Sequence, residues 1–160
     1  MSECCSASAG SCPLPQPGQA SLCPGCGKKS KAVSTLTVKS LVRDHTRVAA
    51  SGSYRFCRSP ECDVVYFIEG RVFSKSDLKV RVGIKEREDP APLCYCFDYT
   101  WADIRRDIQE KGAITIQERI KAEVQAGFCA CEVKNPSGRC CLGDIYAAIQ
   151  EAKSLVSVAR

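Results

Sequence analysis

The stretch from Cys94 to Cys141 reads CYC at its start (residues 94–96) and CACEVKNPSGRCC at its end (residues 129–141). Its six thiols lie at the two ends of a segment whose interior has helical periodicity. This arrangement brings four or more sulfurs within reach of one inorganic centre. We expect a 2Fe-2S cluster, because two irons require four thiolates arranged two and two. Zinc is the alternative occupant, and the spacing alone does not exclude it.

A second set of cysteines precedes this stretch. Cys23 and Cys26 are separated by two residues, and Cys57 and Cys62 by four. Together they form the pattern C-x2-C-x30-C-x4-C, which is close to the usual spacing of a tetrahedral Cys4 zinc site. A redox-active C-x-x-C is the competing interpretation of the first pair, but the strand and helix that such a motif needs are not indicated around it. We expect zinc with a structural role.

Short strand patterns surround the second zinc pair. Alternating or β-branched residues predict strands over residues 53–56, 64–68, 71–73 and 78–82, whereas residues 35–42 fit a strand or a helix. Residues 85–92 are charged and then proline-rich, which is typical of a linker. We therefore predict a flexible cysteine-containing tail over residues 1–22, a zinc-binding β-rich domain over 23–90 and a helical cluster-binding domain over 91–160.

Three helices are predicted after this linker. Thr100 with Asp103 and Thr115 with Glu118 have the spacing of capping boxes, which predicts helices over residues 100–111 and 115–126. A third helix is expected after residue 141. Its predicted apolar stripe consists of Leu142, Ile145, Tyr146, Ile149 and Ala152. The fold class is therefore α+β, with a small zinc-stapled sheet followed by a small helical unit.

Composition limits the function classes. The formal net charge of +5 counts all thirteen cysteines as neutral, and metal-bound thiolates at two sites would lower it to about +1. Dense basic runs and aromatic stacking platforms are lacking, so we expect no nucleic-acid partner. No apolar run is long enough to cross a bilayer and no secretory signal is evident, so we expect a cytoplasmic protein without membrane insertion. Thiols in such a reducing compartment are more often metal ligands than disulfides.

Two further features have a functional and a neutral interpretation. Cys4, Cys5 and Cys12 lie in a Pro- and Gly-rich tail, where they could capture Cu(I) or Hg(II) or be incidental. His45 is the only histidine, and its polar neighbours predict a solvated side chain rather than a zinc ligand. No catalytic triad, phosphate loop or pair of catalytic carboxylates is indicated, so no conventional enzyme is expected, although a metal reductase remains open.

Several motifs resemble one family. They are CPGC (residues 23–26), FC (56–57), CDVVYF (62–67), KVRVGIKE (79–86), CYC (94–96) and CEVKNPSGRCC (131–141). Over roughly residues 20–155 the chain resembles the amino-terminal region of the archaeal-type copper chaperone CopZ, an iron-sulfur metallochaperone family. The resemblance implies a zinc module joined to a 2Fe-2S module similar to bacterioferritin-associated ferredoxin. It also implies that the cluster supplies an electron for reduction of Cu(II) to Cu(I).

The resemblance also implies the ligands. Those of zinc are Cys23, Cys26, Cys57 and Cys62, and those of the cluster are Cys94, Cys96, Cys131 and one of Cys140 or Cys141. We favour Cys141, which precedes Ile145 by four residues and so shares the buried face of the predicted helix, whereas Cys140 shares a face with Asp144. Cys129 remains an alternative to Cys131, because its distance from Cys96 fits the bacterioferritin-associated ferredoxin spacing better.

One departure from the family affects function. The family's full chaperone continues into a copper-carrying domain with a Met-x-Cys-x-x-Cys loop, which this sequence lacks, so copper carriage is not transferred with the rest. The leading hypothesis is a redox protein of copper or other soft-metal homeostasis that transfers single electrons. Its expected partners are a metal-transport ATPase or other metal-handling protein and an electron donor. The alternative is a non-redox binding module, or a metal or redox sensor, with two structural metal sites.

Overall fold

A computed structural model of the protein describes residues 21–86, 88–111 and 115–158, with side chains as far as residue 154. The described part of the chain contains both strands and helices, which confirms the α+β class. The strands are β1 Lys31–Ala32, β2 Arg55–Phe56, β3 Val64–Ile68, β4 Arg71–Ser74, β5 Pro92–Cys94 and β6 Tyr99–Thr100. The α-helices are α1 Thr35–Leu41, α2 Trp101–Lys111, α3 Thr115–Gln125, α4 Cys131–Lys134 and α5 Leu142–Val158. Short 3-10 turns occur at His45–Arg47, Lys75–Asp77 and Gly83–Lys85.

Strands β1 to β4 form an antiparallel sheet in sequential order. The β-branched and aromatic residues of β3 suit a strand that is buried over its central residues. Tyr54, Tyr66 and Phe73 lie in the core of this unit and are at most 1% exposed. Aromatic packing therefore supplies much of the core of a sheet whose strands are only two to five residues long.

Helix α1 covers the segment for which the sequence fits a strand or a helix. It begins because the Ser34 hydroxyl accepts a hydrogen bond from the Thr37 backbone N–H, which is the usual N-cap contact. The strand predicted over residues 78–82 is wrong. Only Leu78 forms a single bridge there, to Val42, because its backbone pairs with the end of α1 rather than with the sheet. The alternation of apolar and basic residues at 78–82 reflects alternating burial and exposure of the side chains, without strand pairing.

Two helix starts in the second unit differ from each other. The predicted capping box of α2 is confirmed, since Asp103 accepts from the Thr100 N–H and Thr100 Oγ1 accepts from the Asp103 N–H. The predicted Thr115 and Glu118 box does not start α3. The buried Asp107 carboxylate of α2 accepts the N–H groups of Thr115 and Ile116 instead, at 2.7 and 3.1 Å. A side chain distant in sequence supplies this cap, which local spacing cannot reveal.

Helices α2, α3 and α5 enclose a second apolar core. Ile104, Ile120, Ile145 and Ile149 lie in it and are at most 1% exposed. Tyr146 was predicted on this buried face but is 57% exposed, so that assignment is wrong. Its position directly after Ile145 turns it toward solvent, because the buried stripe of α5 continues through Ala148 and Ile149. Among the described residues, no helix is long and apolar enough to cross a membrane.

Candidate metal centres

Four thiols converge at one end of the antiparallel sheet. The Sγ atoms of Cys23, Cys26, Cys57 and Cys62 all lie within 4.8 Å of one another. Cys23 Sγ lies 3.8 Å from Cys62 Sγ, and Cys26 Sγ lies 3.7 Å from Cys57 Sγ. Zinc–sulfur bonds of about 2.3 Å in a tetrahedron give sulfur separations of about 3.8 Å. The donor set and its spacing therefore fit one zinc ion.

Local backbone structure aims the first two thiols. The Cys23 N–H donates to the Lys28 carbonyl and the Gly27 N–H donates to the Cys23 carbonyl, which closes a tight turn. Gly27 has φ of +68°, a conformation that glycine adopts without steric cost. A Cβ atom on Gly25 would lie 3.0 Å from Cys62 Sγ. The two glycines of this turn thus provide its curvature and the room for the thiol of the opposite pair.

The surroundings shift the thiol pKa values of this site in opposite directions. A backbone hydrogen bond from Lys28 lowers the pKa of Cys26 to about 7. Burial raises the pKa of Cys57 to about 12, and burial likewise raises that of Cys62. The metal-free site thus keeps protons on Cys57 and Cys62, and metal binding must displace them. Zinc occupancy is therefore expected to fall as the solution is acidified.

A buried lysine supports the second pair of this site. Lys85 is 4% exposed, and its Nζ donates to the carbonyl oxygens of Ser59 at 2.7 Å and Cys62 at 3.0 Å. Its positive charge also favours the thiolate of Cys57. A zinc ion with four thiolates carries a net charge of about −2, so a buried cation beside it is electrostatically favourable. The sequence placed Lys85 at the start of a charged linker, and nothing in the local pattern indicates its burial.

The second set of thiols is arranged differently. Cys141 Sγ donates to Cys94 Sγ at 3.1 Å, and Cys96 Sγ lies 3.5 Å from Cys131 Sγ. Among the described residues, the only group of three or more metal-ligating side chains with all donor atoms within 4.8 Å of one another is the first site. The second set thus forms two close pairs rather than one compact tetrahedron. That donor chemistry fits a centre with two irons, each held by two thiolates.

Three elements bring these pairs together. Cys94 ends β5, Cys131 begins α4, and Cys141 immediately precedes α5. Cys96 Sγ also accepts a hydrogen bond from the backbone N–H of Ala130 at 3.3 Å, which joins the hook to the residue before α4.

The same geometry separates the preferred ligands from their alternates. Cys141 is 1% exposed and Cys131 is 8% exposed, whereas Cys140 is exposed and Cys129 is partly exposed. In the described part of the chain, no hydrogen bond between thiols joins Cys129 or Cys140 to the two pairs. The helical phase of α5 therefore indicated the burial of Cys141 and the exposure of its neighbour.

The two thiols of the Cys94–Cys141 pair differ in proton affinity. The hydrogen bond from Cys141 lowers the pKa of Cys94 to about 6 and raises that of Cys141. Burial and the contact with Cys96 together raise the pKa of Cys131 to about 12. Without metal, the Cys94–Cys141 pair therefore favours a thiolate at Cys94 and a protonated thiol at Cys141.

Other predicted residues lie apart from both centres. His45 is exposed, as its polar neighbours indicate, and it contacts neither set of thiols. Cys4, Cys5 and Cys12 fall outside the described residues. Tyr95 is a site residue that the sequence did not indicate. It lies between Cys94 and Cys96, and its hydroxyl bonds the backbone of residues 81 and 83.

Both the first site and the fold are similar to those of known proteins. Residues 20–79, which include all four cysteines of the first site, match a family model described as the CopZ zinc binding domain. Over 125 residues the chain is 38% identical to the copper chaperone CopZ of Archaeoglobus fulgidus, an alignment that covers 74% of this chain and 57% of that protein. The X-ray structure of the N-terminal domain of that CopZ resembles this fold with a TM-score of 0.63 and 37% identity. It covers 75% of this chain and 91% of that one.

The chain therefore belongs to the family of the CopZ N-terminal domain. The resemblance inferred from its cysteine motifs is confirmed. The chain spans just over half the length of the curated relative that it matches.

Proposed function

We propose that this protein is a metallochaperone-like redox protein of copper handling, with zinc held by the first site and a 2Fe-2S cluster held by the second. The proposed zinc ligands are Cys23, Cys26, Cys57 and Cys62, and the proposed cluster ligands are Cys94, Cys96, Cys131 and Cys141. Residues 23–90 would form the zinc-binding domain and residues 91–160 the cluster-binding domain.

The pairing of the second set of thiols is the observation that carries this proposal. A single zinc ion would require all four sulfurs at tetrahedral separations, as at the first site. Two close pairs, contributed by a hook at residues 94–96 and by residues 131–141, suit a dinuclear centre better. The similarity to a copper chaperone supports the choice of copper as the metal that is handled.

The residues of the second site supply the surroundings that electron transfer needs. A bound 2Fe-2S cluster would supply one electron at a time. Cys94, Cys131 and Cys141 are buried, whereas Cys96 is only partly buried and the nearby Phe128 is 70% exposed. A partner or a copper ion can therefore approach from the side of Cys96. Cu(II) would gain one electron there to become Cu(I), and the reduced protein would lose that electron.

The proposed setting is the cytoplasm, where thiols stay reduced. An electron donor must reload the protein after each transfer. Cu(I), or another soft metal such as Hg(II), would pass to a transport ATPase or another metal-handling protein. Cys4, Cys5 and Cys12 are the proposed soft-metal thiols, because soft cations prefer thiolate ligands.

Metal analysis and copper reduction test the proposal together. Protein purified without oxygen is expected to contain about one zinc, two irons and two acid-labile sulfides per chain. After reduction with dithionite and removal of the excess, added Cu(II) should yield about one Cu(I) per chain, captured by a Cu(I)-specific chelator. A colourless protein with two zinc ions would support the binding-module alternative. A cluster-loaded protein that forms no Cu(I) would refute the reductase function alone.

A further inference from the structure

The loop that carries two proposed cluster ligands is fastened to the zinc-bearing sheet. The Tyr66 hydroxyl of β3 donates to the Pro136 carbonyl at 2.7 Å, and the Thr37 hydroxyl of α1 donates to the Glu132 carbonyl at 2.6 Å. Tyr66 is fully buried. The two acceptors lie between Cys131 and Cys141, so the start and the middle of that loop depend on donors from the first unit.

Close packing reinforces this attachment. Gly138 has φ of +65°, and a Cβ atom there would lie 2.7 Å from Thr37 Oγ1. Arg58, which follows the zinc ligand Cys57, forms an ion pair with Asp144 in the first turn of α5 at 2.6 Å. This pair is exposed and adds little stability by itself. The buried hydrogen bonds are the stronger constraint on the loop.

The hook that carries the other two proposed ligands is fastened to the same unit. The Gly83 N–H donates to the Tyr95 hydroxyl at 2.8 Å, and that hydroxyl donates to the Arg81 carbonyl at 3.0 Å. A Cβ atom on Gly83 would lie 1.6 Å from the Pro92 carbonyl oxygen. The backbone of residues 81–83 therefore lies directly against the strand that ends at Cys94.

Both attachments lead back to the zinc ligands. On one side, the Cys57 N–H donates to the Val65 carbonyl, next to Tyr66 in the chain. On the other side, Lys85 lies two residues after Gly83 and donates to the carbonyls of Ser59 and Cys62. The zinc loop, residues 57–62, is thus joined through at most a few bonds to each half of the cluster site.

We propose that the zinc site positions the cluster ligands, with Tyr66, Thr37 and Tyr95 as the positioning residues. Zinc holds residues 57–62 in one arrangement, that arrangement fixes β3 and residues 81–85, and these fix the loop and the hook. Loss of zinc would therefore loosen the second centre without any change in its own ligands. The expected effect on cluster retention rests on the proposed function. The expected ordering of residues 131–141 by zinc does not, because it applies to iron-free protein as well.

The test combines zinc removal with Tyr66→Phe. This variant removes one hydroxyl and leaves the buried Pro136 carbonyl without its donor, a loss that corresponds to about tenfold in an opening equilibrium. In zinc-loaded, iron-free protein, amide hydrogen exchange over residues 131–141 should be about tenfold faster than in wild type. In zinc- and iron-loaded protein, cluster release to a chelator, followed by visible circular dichroism, should accelerate similarly.

Tyr54→Phe is the matched control. Tyr54 is equally buried, but its hydroxyl accepts from the Ala49 N–H within the first unit. Its loss should leave exchange over residues 131–141 and cluster release within about twofold of wild type. If both tyrosine variants acted alike, general destabilisation would explain the result and the inference would be overturned.

A double cycle separates positioning from unfolding. Zinc removal should accelerate cluster release more in wild type than in Tyr66→Phe combined with Thr37→Val, because the variant has already lost part of the connection. Equal effects in both backgrounds would overturn the inference. If purified wild-type protein contained no iron, the proposed function would be refuted and the inference would not. If hydrogen exchange over residues 131–141 did not depend on zinc, the positioning role would be refuted whatever the iron content.

Discussion

Replacement of Lys85 by methionine tests how the zinc site is supported. Methionine keeps the length and apolar character of the stem but removes the ammonium group. The side chain is 4% exposed, so water cannot readily replace its bonds to Ser59 and Cys62. Two acceptor carbonyls would remain beside a site that gains negative charge when four thiolates bind zinc.

The magnitude follows from those two bonds. A hydrogen bond from a charged donor contributes about 1.5 to 3 kcal/mol. Part of that energy stabilises the loop with or without metal, so only the remainder changes zinc affinity. We expect Lys85→Met to weaken zinc binding by about 10- to 100-fold, the usual effect of removing a group that supports metal ligands. Lys85→Gln keeps a hydrogen-bond donor but loses the charge, so its zinc affinity should lie between those of Lys85→Met and wild type.

Competition with a chromophoric zinc chelator at neutral pH measures this effect. Lys79→Met is the control, because Lys79 Nζ also donates to a carbonyl, that of Ser40 at 2.9 Å, but lies on the exposed surface. It should change zinc affinity by less than about twofold. If folded Lys85→Met bound zinc as tightly as this control, the electrostatic reasoning would be refuted.

Three further predictions follow from other sites. Asp107→Asn should lower the free energy of unfolding by about 1 to 2 kcal/mol in urea titrations, because the carboxylate caps α3. Burial opposes ionisation of Asp107, but its hydrogen bonds lower the pKa to about 2. The stabilisation by this carboxylate should therefore be complete above about pH 4 and disappear as the pH falls through 2. The stability of the Asn variant should lack this pH dependence. Gly138→Ala should reduce the iron content of purified protein, whereas Gly143→Ala, where a Cβ meets no atom within 4 Å, should leave iron content unchanged. Cys141→Ser should abolish iron incorporation and Cys140→Ser should not; equal iron in the two proteins would contradict the proposed ligand set.

Much of the fold was predictable because it follows local patterns. The capping box of α2 and the helical phase that buries Cys141 both depend on residues a few positions apart. The spacing of the four upstream cysteines likewise predicts a common metal site, because a turn with glycine and a short loop leave few ways to arrange the thiols. These features arise within single elements or within one motif.

The rest depends on contacts that are distant in sequence. Lys85 has the composition of a linker residue, yet it is buried because carbonyls more than twenty positions away accept its bonds. Asp107 of α2 caps the start of α3, and the Tyr66 hydroxyl donates to a carbonyl 70 residues later. No local periodicity encodes such pairs. The strand expected at residues 78–82 failed for the same reason, since strand pairing requires a partner that the sequence pattern does not specify.

The buried anchors, two between the units and one within the first unit, also restrict how the sequence can vary among relatives. In each buried anchor from Tyr66, Thr37 and Lys85, the donor is a side chain and the acceptor is a main-chain carbonyl. Every residue type offers that acceptor, so the anchor sets no requirement on the side chain at the accepting position. Homologues are therefore free to diverge at the accepting positions 59 and 132, whereas the three donors should tolerate few replacements. An alignment of relatives would show this asymmetry as constraint on one partner of each pair without covariation between the two.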